Sequence, residues 1–238
     1  MSEDVVSYVL IMSHLPRYWT VSLLIAVTVF FANSCATYQT EIPDGRPGPA
    51  ETGEALSDEQ LTRKQVRLLE AANWAEGRSN VSNNGRRFSL DCSGVVSAIY
   101  WRAGIDLQAA YPLYTGNGVT RIHRYLGDKD LLYRPEEPAP GDIIFWDNSY
   151  DMNGNGLADD ELTHIGMVVD VSPEGDVTYI HHDYISGVIL ARMYPPDPGD
   201  RSRNNGMRMQ SLGPTPDGKS TSGELYRQAG RGWELEEG

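Results

Sequence analysis

Just past its midpoint the chain changes grammar, and that change limits the fold more than any other feature. Up to about residue 128 the apolar residues recur at helical spacing. From residue 141 onward they come in short β-branched and aromatic blocks bounded by turn residues: "GDIIFWD", "THIGMVVDV", "DVTYIHH" and "GVILARMY". Helices first and adjacent strands after predict an α+β domain, with N-terminal helices packed on an antiparallel β-sheet. Ser57, followed three residues later by Gln60, has the pattern of a helix cap. It precedes a stripe of Leu61, Gln65, Leu68, Leu69, Ala72 and Trp74 that stops at Gly77. A second helix is expected from Cys92 to Arg102, stopped by Gly104, and a short third over "VTRIHRYL". "GELYRQAGRGW" has the pattern of a last element returning to the core. With 238 residues and 40% hydrophobic content, the chain carries material for one sizeable core.

The N-terminal segment is of a different kind. Val21 to Ala32 is apolar but for Ser22 and Thr28, with Arg17 before it and "NSC" after it. Twelve helical residues span about 18 Å, short of a hydrocarbon core of about 30 Å. A basic flank, a short apolar run and small residues mark an export signal. With Cys35 directly after "ANS" it resembles a bacterial lipoprotein signal, which implies that Cys35 is lipidated and becomes the mature N-terminus. An uncleaved anchor is the alternative, and Met12 competes with Met1 as the start. Residues 36–55, with three Pro and three Gly, form a tether. The organisation is thus a signal over 1–35, a tether over 36–55 and a domain over 56–238. The domain is expected outside the cytoplasm, on the periplasmic side of a membrane, with the outer membrane favoured. A net charge of -13 argues against nucleic acid as a partner.

Cys92 opens the second helix in "SLDCSGVV", where free N–H groups and the helix dipole favour a thiolate. Gly94 would leave room for a substrate beside the sulfur. His164 starts a strand 72 residues downstream, and His181 lies on the next one. A hairpin through "SPEGD" would bring both to one end of neighbouring strands, giving the order nucleophile, base and orienter. His182 competes with His181, although strand alternation turns it to the other face. His123 has no partner by spacing and is expected to be exposed.

In order, "LDCSGVVSAIYWRAGI", "PAPGDIIFWD", "THIGMVVDV" and "TYIHH" resemble the signature blocks of the NlpC family of papain-like cell-wall peptidases. The likeness covers about residues 70–192. It implies a papain-like domain with Cys92 as nucleophile, His164 as base and His181 as orienter. It also implies a peptidoglycan peptide as substrate and no cofactor for the chemistry. The family's usual Tyr and Gly pair upstream of the nucleophile is replaced here by "RSNVSNNGRR". Amidase or acyltransferase chemistry on the same scaffold, or a non-catalytic envelope-binding module, are the alternatives. The choice between peptidase and amidase depends on a pocket shaped by the loops at 78–90 and 105–120, and "AAYPLYTGNG" suggests an aromatic-lined groove.

Before His164 runs "DMNGNGLADDEL". Asp151, Asn153, Asn155 and Asp159 fall at positions one, three, five and nine of an EF-hand-type calcium loop. Position twelve holds Leu162, with Glu161 beside it. These residues equally suit a hairpin turn, so a structural calcium ion and a plain turn both stand.

Overall fold

A computed structural model describes residues 61–134 and 138–238. The signal, the tether, Cys35 and the Ser57–Gln60 cap lie outside the described residues. The first helix, α1 (Arg63–Ala75), is capped by a repeat of the same pattern. The Thr62 hydroxyl accepts from the Gln65 amide, and the Gln65 side chain accepts from the Thr62 amide. Gln65 then donates to the Pro140 carbonyl at 2.8 Å, which ties the cap to the turn before the sheet. The buried face of α1 is Gln65, Leu68, Ala71, Ala72 and Ala75. Leu61 is exposed, and Trp74 is half-buried with the guanidinium groups of Arg78 and Arg102 over its ring.

Helix α2 (Cys92–Arg102) has the bounds its sequence predicts, and Gly104 supplies a positive φ of 93° just beyond it. Its residues from Gly94 to Tyr100 are all buried. Helix α3 (Gly118–Asp128) starts at an Asn117 cap and buries Val119, Ile122 and Leu126.

Six strands follow: β1 (Leu132–Tyr133), β2 (Ile143–Trp146), β3 (His164–Val171), β4 (Val177–Asp183), β5 (Gly187–Met193) and β6 (Tyr226–Gly230). They form one antiparallel sheet in the order β1-β6-β2-β3-β4-β5. The fold is therefore α+β, as the change of periodicity predicts. The last strand does more than return to the core: it is inserted between β1 and β2. Alternation divides the sheet into two faces. Ile143, Phe145, Ile165, Met167 and Ile180 pack with the helices. Ile144, Trp146, Val168, Tyr179, Tyr226 and Ala229 form a second cluster on the other face, with Met207 and Leu225. No helix among the described residues is long and apolar enough to cross a membrane.

Candidate active site

The first turn of α2 is organised by Asp91. Its carboxylate accepts from the Gly94 amide at 2.8 Å and from the Ser93 hydroxyl at 2.9 Å, and so caps the helix. Burial works against that charge, yet hydrogen bonds from Ser89, Gly94 and Ser93 hold the Asp91 carboxyl below the usual range. Gly94 is required by this turn, where a side chain has no room. A Cβ there would lie 2.1 Å from the Ser89 carbonyl oxygen. The loop before Cys92 therefore closes only over a glycine.

Cys92 is a half-buried free thiol. Burial, and then the Asp91 charge, push it up to about 11, against backbone amides of Ile165, Ser93 and Cys92 itself. The thiolate expected at a helix N-terminus is thus not the resting state. Desolvation and a carboxylate one residue away both disfavour the charged thiolate. Helix α2 packs on β3, and the Ile165 amide, next to His164, is the first of the groups that oppose the rise.

His164 is set by its place at the start of β3, paired with Trp146 at the end of β2. The two rings are 5.7 Å apart. His164 Nε2 is hydrogen-bonded to His181 Nδ1 at 2.8 Å, as the hairpin through residues 172–176 predicts. Tyr179 packs on Trp146 and on His181, with centroids 4.8 and 5.2 Å apart, and so walls the pair. Burial lowers His164 to about 3, aided by His181 and opposed by the Asp183 carboxylate. Burial likewise lowers His181 to about 4, again with Asp183 opposing. Both imidazoles are neutral at pH 7. His182 pairs with Val188 and is half-buried, so His181 is the one that meets His164.

Two features at this site carry no signal in the sequence spacing. Tyr150 is raised by burial, then by the charges of Cys92, Asp160 and Asp91. Helix α3 also begins against α2: a Cβ on Gly118 would lie 2.3 Å from Ser93 Oγ and 3.2 Å from the Tyr111 hydroxyl. The "AAYPLYTGNG" segment thus brings Tyr111 beside the first turn of α2, while Leu113 faces solvent. Asn117 reaches across to the Met152 sulfur at 3.2 Å, joining this loop to the Asp-rich one.

In that second loop the Asp151 carboxylate accepts from the amides of Gly154, Asn155 and Gly156. Asn153 and Asn155 each accept from an amide two residues on and donate to Asp159. Glu161 lies 3.5 Å from Arg227 and is largely exposed. Among the described residues, no group of three or more His, Cys, Asp or Glu side chains is placed to hold a metal ion. His123 differs from expectation. It is half-buried edge-on against Phe145 at 5.1 Å, with its Nε2 buried and unpaired, because α3 packs its ring over β2.

No protein-family model matches the chain, and no curated protein matches it.

Proposed function

We propose that this chain is a cysteine peptidase of the NlpC type, cutting peptide bonds of cell-wall stem peptides through an acyl-enzyme on Cys92. One observation carries the reading: a thiol at a capped helix N-terminus lies against the strand start that holds a hydrogen-bonded imidazole pair. With Nε2 of His164 engaged by His181, Nδ1 is the nitrogen left to take the thiol proton. That requires Nε2–H of His164 to donate to Nδ1 of His181, so His181 fixes the tautomer. Since thiol and imidazole are both neutral at rest, proton transfer accompanies attack on the substrate carbonyl and does not precede it. His164 gives that proton to the leaving amine as the C–N bond breaks and the thioester forms; it then takes a proton from the water that attacks the thioester and returns it to the Cys92 sulfur as the acid leaves.

The N-terminal lipoprotein-type signal supports the same substrate, since lipidation at Cys35 would hold the domain beside the wall. The amidase and acyltransferase alternatives use the same three residues and differ only in the bond cut or the acceptor.

The test is digestion of purified peptidoglycan by the chain from residue 56 onward, beside Cys92→Ser, with the products identified by mass spectrometry. Peptide cleavage by the parent alone is expected. A lost sugar–peptide bond instead would make the protein an amidase. Intact polymer in both lanes would overturn the hydrolase reading.

A further inference from the structure

Strand β4 pairs with β5 without a break from Val177↔Met193 to Asp183↔Gly187. Regular pleating therefore holds to its last residue, and every second side chain stays on one face. Tyr179 and His181 show this directly, their ring centroids lying 5.2 Å apart. The same alternation sets Asp183 on that face, about 7 Å along the strand from His181. His182, between them, turns to the other face. One line of β4 thus carries the imidazole that meets His164 and, one step further, a carboxylate.

That carboxylate is fixed by the turn beyond it. Asp183 Oδ1 accepts from the Ile185 amide at 3.0 Å and from the Ser186 amide at 2.7 Å, which shapes the turn into β5. Burial works against its charge, yet hydrogen bonds from Ser186 and Ile185 hold the Asp183 carboxyl below the usual range. It is therefore an anion at neutral pH. Tyr184 and Ile185 in the turn are open to water, so the field of Asp183 on the imidazoles is partly screened.

The walls of the pair, Trp146 and Tyr179, carry no compensating charge. Among the described residues that act on the pair, His182 disfavours the charged form, as burial does and as His181 does for His164; Asp183 alone favours it. The proposed reaction needs that form. Taking the thiol proton turns His164 into an imidazolium in a buried site, where a cation without a counter-charge is costly.

We propose that Asp183 is a positioning residue of the relay, whose fixed charge stabilises the imidazolium forming on His164 and acts through His181. The inference rests on the peptidase reading. In the step, the S–H bond of Cys92 breaks and its proton joins Nδ1 of His164 as the sulfur attacks the carbonyl carbon. Nε2–H of His164 stays in its bond to His181, and the positive charge is shared along that bond toward Asp183. The carboxylate neither gains nor loses a proton and needs no contact with substrate.

The experiment compares the full chain with Asp183→Asn and Asp183→Glu on soluble muropeptides across a range of pH. Asn keeps an oxygen for the two turn amides and removes the charge. Glu keeps the charge but, one methylene longer, fits the turn less well. Asp183→Asn should lose roughly two- to fivefold in kcat, the worth of a partly screened charge pair, with KM and melting temperature unchanged. The acid limb of its kcat/KM profile should also move to lower pH, because the imidazoles lose the charge that holds them up against burial. Asp183→Glu should stay closer to the parent. Should Asp183→Asn melt lower as well, the acid limb still decides, since loss of the turn does not move it. An unmoved limb, or Asp183→Asn like the parent with Asp183→Glu impaired, would make Asp183 a turn residue only and overturn the proposal. Muropeptides left intact by the parent would overturn the peptidase reading, and the relay with it. A hydrolysing parent matched by Asp183→Asn would overturn the relay alone.

Discussion

At the residue scale the imidazole pair makes the fold sensitive to acid. Unfolded histidine titrates near 6.5, whereas burial holds His164 at about 3 and His181 at about 4. Between those values the unfolded chain binds more protons than the folded one, so stability falls as pH falls. The pair contributes no pH dependence above pH 7. Its stabilisation is lost progressively from about pH 6.5 down to about pH 3. Thermal melts at pH 7.5, 5.5 and 4.5 should show a declining melting temperature, and His181→Gln should flatten part of the decline. An equal slope in parent and variant would show that other groups carry it. Gly94 offers a second prediction at this scale. The 2.1 Å approach of a Cβ to the Ser89 carbonyl forces backbone movement, so Gly94→Ala should lose about 2 kcal/mol in denaturant unfolding. The sequence marks Cys92, His164 and His181 through their spacing. It does not reveal the protonation of Cys92, because burial and Asp91 are set by the fold around them.

At the element scale, the cap of α2 and the reactivity of its first residue can be separated. Asn caps a helix as well as Asp does, but without charge. Asp91→Asn should therefore keep the melting temperature and lower the Cys92 pKa, seen as faster alkylation by iodoacetamide at fixed pH. Asp91→Ala should instead lose about 1 kcal/mol of stability with the cap. Unchanged alkylation in Asp91→Asn would mean that burial alone sets the thiol. The Asp-rich loop is an element with two readings, and one measurement divides them. Asp151→Ala strips an acceptor from three amides and should destabilise the chain by about 1–2 kcal/mol in chelator. A calcium ion would add a rise in melting temperature present in the parent and absent in the variant. A plain turn gives the same melt in calcium and chelator. Period and turn residues made α2 and strands β2 to β5 legible almost to the residue. The two-residue β1 was not, because so short a strand has no period and exists only through its pairing with Leu132↔Gly230 and Tyr133↔Ala229.

At the scale of the whole molecule, the sheet depends on its last strand. The blocks that resemble a known family end near residue 192, yet β6 lies at residues 226–230, between β1 and β2. Ile144 opposes Ala229 and Phe145 opposes Gln228, so β2 has β3 on one side and β6 on the other. Gly230 is fitted closely, since a Cβ there would meet a Leu126 methyl at 2.6 Å. Just beyond it, Trp233 donates to the fully buried Asp142 carboxylate, which also accepts from Tyr133 and from the Ala139 amide. Removing the C-terminus would leave that carboxylate short of a donor, open the edge of β2 and detach β1. The order of strands, unlike their existence, is a long-range property that no local pattern encodes. A chain ended at Ser222 should therefore fail to melt cooperatively and should lose amide protection in β2, although every residue of the imidazole pair and the thiol helix is retained. Cooperative unfolding of that truncated chain near the parent's temperature would show that β2 to β5 and the helices suffice. The site would then be independent of the strand that completes the sheet.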